Sequence, residues 1–512
     1  MNFRIINIVA LSAFLSFSGS SAQETFQITF GGTGVDYGYA VKQTMDSGYI
    51  VAGYTTSFGA GNRDVYLIRT DKSGKKLWSK TYGAGNIDYA WTIDLAVDGG
   101  FLIGAHSGSF GAGSHDIYLI KCDSLGLVEW TKVYGGGSAD GAYSLQQTTD
   151  GGYIVSAHTS SFGAGQHDVY LIKINNSGDT LWTRAYGGTS GDYLRAVHQT
   201  DDGGYVLVSE TFSFGAGAFD VYLIKTDSIG NVMWTRTYGG SSSDYGYSVK
   251  QTFDGGFIIA GYTNSFGAGQ FDLYVIKTDM NGNVIWSKTY GGASSDYGHS
   301  VIQTLDSGYV ISGYTLSFGM ASQVYFVKLD SDGNLLWSKT YGGTGNDFGW
   351  SVEQTMDSGF VITGNTDSFG RGNRDVYLIK TDRFGNSGCN EAVAATIASD
   401  AATITGSTQT LVDSGAFVNS TATITEDVVA ADSLLLCDNS SCLNCVRGDT
   451  NNDNNLNILD LTFLVDFIFR GGSKPECSEE ADVNNDGTPS NILDLTFIVD
   501  FIFRGGQTPA PC

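Results

Sequence analysis

Between Phe30 and about Asn386 the apolar residues fall in short runs, separated by clusters of Gly, Asp, Asn and Ser. The stretch Tyr238 to Thr289 shows the pattern. Its four runs are Asp244-Tyr-Gly-Tyr-Ser-Val-Lys-Gln-Thr252, Phe257-Ile-Ile-Ala-Gly-Tyr-Thr263, Asp272-Leu-Tyr-Val-Ile-Lys-Thr278 and Val284-Ile-Trp-Ser-Lys-Thr289. Runs of this length, rich in β-branched and aromatic residues, predict strands. Asp254-Gly-Gly and Asp279-Met-Asn-Gly282 predict tight hairpins, with glycine taking the positive φ.

The unit recurs every 52 residues, with 51 in the last step. Tyr-Gly-Gly has its tyrosine at 82, 134, 186, 238, 290 and 341, with Phe30 opening the series and one glycine replaced, at Ala84. A strict period of this size signals a repeat architecture. Four antiparallel strands in about 50 residues fit a β-propeller blade; the coils of a parallel β-helix are shorter and do not carry two hairpins. The predicted fold is therefore mainly β: a seven-bladed propeller of four-stranded blades over residues 23–387, plus a small α-helical domain at the C-terminus. The seventh unit stops at Asp382-Arg-Phe-Gly-Asn386 without its fourth strand, and Phe26-Gln-Ile-Thr-Phe30-Gly-Gly matches the missing piece. A closing strand over residues 24–30 would seal the ring and remove its open edge.

Composition narrows the partners. The formal charge is −25, with 70 glycines and four prolines, all near the C-terminus. Nucleic-acid binding needs a basic face and is excluded. Arg4, the apolar stretch Ile5 to Phe17 and Ser20-Ser21-Ala22 predict a signal peptide over residues 1–22, cleaved after Ala22. Its apolar run is short for a membrane span, and no later segment suits one. The mature chain is expected to be secreted, free or attached at the cell surface. Cys122 stands alone within the repeats and is expected to be a small buried hydrophobe. The other six cysteines (Cys389, Cys437, Cys442, Cys445, Cys477, Cys512) follow the repeats and suggest three disulfides. Cys389 with Cys437 is the natural first pairing, because those two bracket one segment. That segment, within residues 388–446, is rich in Ala, Thr and Ser and reads as a linker or a small disulfide-clipped β module.

A repeat is scaffold, so chemistry is sought where its copies differ. Asp36, Asp88, Asp140, Asp192, Asp244, Asp296 and Asp347 are the same in all seven units. Such a column is expected to fix its own loops by bonding backbone N–H groups. Two columns vary. One lies in the first strand: Tyr39, Trp91, Tyr143, Arg195, Tyr247, His299 and Trp350. First strands line the central channel, where these rings either stack on sugars or pack neighbouring blades. The other ends the second strand: Tyr54, His106, His158, Glu210, Tyr262, Tyr314 and Asn365. His106, His158 and Glu210, with His115 and His167 nearby in sequence, are either a metal or acid–base group or variable surface residues. No catalytic motif stands out, and a glycosidase carboxylate pair stays open.

Residues 447–512 change character. Asp449-Thr-Asn-Asn-Asp453-Asn-Asn-Leu-Asn457-Ile-Leu-Asp460 and Asp482-Val-Asn-Asn-Asp486-Gly-Thr-Pro-Ser-Asn-Ile-Leu-Asp494 are each followed by Leu-Thr-Phe-(Leu/Ile)-Val-Asp-Phe-Ile-Phe-Arg-Gly-Gly. Oxygen ligands spaced in this way suit a Ca²⁺ loop. Loop one offers Asp449, Asn451, Asp453, Asn455 (through its carbonyl), Asn457 and Asp460. Loop two offers Asp482, Asn484, Asp486, Thr488 and Asp494, with one extra residue before the last. Two Ca²⁺ ions are expected.

The paired loops, each with one following helix, resemble a type I dockerin, the module that plugs into cohesin domains of bacterial polysaccharide-degrading assemblies. Asn454 stands where the family has a loop glycine, and cysteines flank both units. The resemblance implies a cohesin-type partner touching Ile458, Leu459, Val465, Asp466 and Arg470 in one half, and Ile492, Leu493, Val499, Asp500 and Arg504 in the other. The repeat region resembles bacterial secreted repeat proteins of the endoglucanase-like kind. Together these imply a secreted propeller that binds a glycan or protein and docks through its C-terminus. The alternatives are a glycoside hydrolase with its active site on the variable propeller face and a structural cell-surface protein.

Overall fold

The computed structural model describes residues 23–407, 411–413, 417–420, 424–427 and 433–438. The expected signal peptide and the two expected calcium loops lie outside the described residues.

Each repeat folds into one antiparallel blade, and seven blades form the propeller. Blade 5, for example, consists of Asp244–Gln251, Phe257–Thr263, Asp272–Thr278 and Val284–Gly291. The second and third strands are buried along nearly their whole length, because both faces of a blade pack on neighbouring blades. The first strand alternates between buried and half-buried positions, one face packing and the other lining the channel. The repeated Tyr-Gly-Gly ties blade to blade. Tyr238 is buried and donates its hydroxyl to the Gly282 carbonyl of the next blade at 2.8 Å. Gly282 must be glycine: its φ is 76°, and a Cβ there would sit 2.9 Å from the Trp234 ring.

Closure occurs as predicted. Phe26–Phe30 pairs antiparallel with Asp375–Thr381 and supplies the fourth strand of blade 7. Its Gln27 is fully buried. Gln27 donates to Ser387 Oγ at 2.7 Å and accepts from the Tyr377 hydroxyl and from Asn390 Nδ2.

The segment after the ring forms neither a linker nor a separate module. It runs round the outside of the propeller in reverse blade order, adding a fifth strand to every blade. Glu391–Val393 joins blade 6, Ile397–Asp400 blade 5, Ile404–Gly406 blade 4, Leu411–Asp413 blade 3, Phe417–Ser420 blade 2, Ile424–Asp427 blade 1 and Ser433–Asp438 blade 7. The outermost ladder of each blade would otherwise be an open edge, and the belt covers it. A seven-residue sequence period serves this path. Ala394-Ala-Thr-Ile397 and Ala401-Ala-Thr-Ile404 repeat the same contacts one blade apart. Ser338 donates to the Ala394 carbonyl at 3.0 Å and Ser287 to that of Ala401 at 2.7 Å, while Thr396 and Thr403 bond Tyr325 and Tyr274. The Cys389–Cys437 disulfide joins the two ends of the belt at blade 7. Cys122 is free and buried.

Candidate binding channel

The seven shared aspartates hold loops, as their uniformity predicts. Asp244 accepts from the Gly240 N–H at 2.8 Å and from Ser265 Oγ at 2.7 Å, and its six counterparts each accept the equivalent N–H. Among the described residues no group of three His, Cys, Asp or Glu is arranged to hold a metal ion.

The first variable column forms a closed collar. Each member is the extra residue of a β-bulge in its first strand: Tyr39, for instance, lies between Gly38 and Ala40, which pair with Gly53 and Ala52, consecutive residues of the next strand. All seven blades repeat the bulge. A bulge re-aims its side chain, here into the channel. Ring centroids then follow one another round the axis: Tyr39–Trp91 4.0 Å, Trp91–Tyr143 5.4 Å, Tyr247–His299 5.0 Å, His299–Trp350 4.4 Å and Trp350–Tyr39 5.4 Å. Arg195 fills the remaining place, its guanidinium 5.4 Å from the Tyr143 ring centre and 4.5 Å from that of Tyr247. The collar is partly exposed and lines a cavity of about 420 Å³.

The second column braces the first. Glu210 takes Arg195 Nε at 2.7 Å, Tyr262 and Tyr247 share a hydroxyl contact at 3.3 Å, and Asn365 accepts from Trp350 Nε1 at 2.7 Å. The plain expectation of variable surface residues is therefore corrected for His106 and Glu210, which are only 4% and 3% exposed. They are buried because they sit behind the collar. His106 has both nitrogens engaged, with the Tyr89 hydroxyl and the Ala142 carbonyl, each at 3.0 Å. Its ring centre lies 5.9 Å from that of His158, and His158 lies 5.6 Å from His167. Burial pushes His106 well below the usual imidazole range and takes His158 and His299 to about 3. These rings are neutral at ordinary pH and act as packing groups, His106 and His299 also as hydrogen-bonding ones.

A further layer escaped the sequence reading. Three residues beyond the collar in each first strand stand Lys42, Asp94, Gln146, His198, Lys250, Ile302 and Glu353, and several of these line the same cavity. The bulge hides them: it breaks strand alternation, so residue i+3 rather than i+2 or i+4 turns inward with the collar. Charge variation within one column of a uniform repeat was the available signal. Lys42 bonds Glu353 and lies 3.8 Å from Asp94.

Comparison with known proteins adds the C-terminal identity. Residues 447–502 match the family described as Dockerin type I domain. The chain thus carries a dockerin domain after its propeller, and that domain implies calcium and a cohesin partner. Uncharacterized WD repeat-containing protein L264 of Acanthamoeba polyphaga mimivirus is 24% identical over 214 residues, covering 38% of this chain and 14% of that protein. Among solved structures, a Dyadobacter fermentans protein of unknown function is 10% identical, with a TM-score of 0.40 over 70% of this chain and 98% of its own. A Penicillium chrysogenum α-L-arabinanase complexed with arabinobiose is 11% identical, with a TM-score of 0.35 over 57% of this chain and 92% of its own. Likenesses this distant carry no argument about function.

Proposed function

We propose that this chain is a secreted binding module: the propeller channel takes a glycan, and the dockerin domain fixes the module to a cohesin-bearing partner in polysaccharide degradation. The observation that carries the binding reading is the unbroken collar of six rings and one guanidinium lining the cavity. Aromatic faces pack against the apolar faces of sugar rings, and the bracing by the second column holds them ready, which lowers the ordering cost of binding. The chain's path supports the arrangement. Asp438, the last described residue before the dockerin, pairs with Phe26 at the end of blade 7 away from the Tyr-Gly-Gly loops. The described chain therefore ends on the side of blade 7 opposite that loop face. Among the described residues no helix is long and apolar enough to cross a membrane.

Two Ca²⁺ ions are assigned to the loops, one on Asp449, Asn451, Asp453, Asn455, Asn457 and Asp460, the other on Asp482, Asn484, Asp486, Thr488 and Asp494. Ile458, Leu459, Val465, Asp466 and Arg470, or their counterparts Ile492, Leu493, Val499, Asp500 and Arg504, would meet the cohesin. The hydrolase alternative is disfavoured because the channel carboxylates are committed. Glu210 is held by Arg195, Asp94 by the Gln147 N–H at 2.8 Å, and Glu353 by Lys42 and the Gln43 N–H at 3.1 Å.

The test is twofold. Tryptophan fluorescence of the full chain, titrated with soluble oligosaccharides, should respond in the wild type and lose its response in W91A/W350A. A cohesin pull-down should require calcium and fail in D453A/D486A. Release of reducing ends from the bound oligosaccharide would instead establish the hydrolase. A pull-down indifferent to chelator would sink the calcium-dependent docking.

A further inference from the structure

The layer below the collar has a division of labour. Asp94 Oδ2 accepts from the Gln147 N–H at 2.8 Å, Gln146 Oε1 from the Gln199 N–H at 2.8 Å, and Glu353 Oε2 from the Gln43 N–H at 3.1 Å. These side chains stitch one blade to the next. Lys42 pairs with Glu353 and lies 3.8 Å from Asp94. Lys250 does neither. An ammonium cannot accept the N–H that its position faces. Among the described residues it forms no ion pair, while Lys42, Lys121, Lys173, Lys225, Lys277, Lys328 and Lys380 each form one. It is partly exposed and lines the same cavity as the collar. The channel therefore contains a cation that meets no protein carboxylate at contact distance, although Asp94 and Glu353 act on it from further off. Burial and the Lys42 charge draw its ammonium down to about 8, against the pull of Glu353 and Asp94, so a bound anion would stabilise its charge.

Resting on the glycan reading above, we infer that the channel selects a uronic-acid-bearing glycan, one sugar stacking on the collar and the carboxylate of its neighbour meeting Lys250 Nζ. Lys250 lies three residues along the strand from Tyr247, roughly 8 Å because the bulge takes up part of one step. That is enough to separate a sugar ring on the collar from the carboxylate of its neighbour. The net charge of −25 repels a polyanion, so the acid is expected as an occasional substituent on a neutral backbone.

Calorimetric titration of the full chain with glucuronosyl-xylotriose and with xylotetraose tests this. The wild type should bind the acidic tetrasaccharide roughly tenfold or more tighter, the scale of one charge-assisted hydrogen bond. K250M should abolish the preference while leaving xylotetraose affinity in place, and K250R should keep it. Equal wild-type affinities, or a preference that survives K250M, would overturn the inference and leave the glycan reading standing. If neither saccharide binds, both fall.

Discussion

Removing the Cys389–Cys437 clasp with C389S/C437S tests whether the belt is part of the fold or a strap laid over it. The bond closes a loop of 48 residues in sequence. On the chain-entropy account, a loop of that size stabilises the folded state by about 4 kcal/mol at 25 °C. With an unfolding entropy near 2.1 cal/mol/K per residue over roughly 400 residues, this corresponds to a fall in Tm of about 5 °C. The local consequence is larger. The belt strands pair over only three to six residues each. Ordering a residue costs about 1–2 kcal/mol, and a backbone hydrogen bond returns about 1, so each short strand is near balance on its own. It is held because its neighbours are held and both ends are anchored. Without the clasp the belt should peel inward from Asp438, and residues 388–438 should become open to protease before the blades melt. Calorimetry paired with timed proteolysis and mass mapping reads both effects. A Tm within about 1 °C of wild type, together with an equally protected belt, would refute the reasoning.

Other expectations follow from single positions. Six blade junctions carry the tyrosine-to-glycine bond, but Phe30 stands at the seventh. F30Y should add about 1 kcal/mol by bonding the Gly74 carbonyl, seen as a raised denaturant midpoint with an unchanged slope. R195M should cost about 3 kcal/mol, because Glu210 is left buried without its counter-charge, and R195M/E210M should recover most of it; a double variant worse than R195M would show that the pair is not the cause. Asp220, Asp272 and Asp375 are pushed up to about 6 by burial, opposed by loop N–H bonds and reinforced by Asp244, Asp296 and Asp36 respectively. A carboxyl whose folded value lies above its unfolded one favours folding when protonated, so their contribution should rise as pH falls from about 7 towards about 4. Asp202 runs the other way: burial raises it, but hydrogen bonds from Lys225 and Thr200 outweigh this and hold it at about 2, so its contribution is lost below about pH 4. Thermal midpoints should therefore peak in mildly acid buffer; a monotonic rise to pH 8 would contradict the assignment.

Much was legible from the chain alone. Strand runs, hairpin glycines and the 52-residue period are local signals, and they yielded the blade count. The split seventh unit yielded the closing strand, because Phe26 and Phe30 occupy the same repeat positions as Trp78 and Tyr82. Uniform aspartates read correctly as scaffold, since a residue kept through seven copies of a turn answers to that turn. The dockerin domain was legible for the same reason: its two Asp- and Asn-rich stretches are local signals.

What the chain did not disclose depends on residues far apart in sequence meeting round the ring. Lys42 finds Glu353 across 311 positions only because the propeller closes. The collar is continuous only because seven bulges point seven side chains at one axis. The lower layer, with its unpaired Lys250, faces the channel because those bulges shift the alternation that sequence reasoning assumes. The belt was the largest surprise. Its Ala-Ala-Thr-Ile period was present in the sequence, but a three-residue strand has no stability of its own, and only the exposed outer ladder of each blade gives it a place to pair.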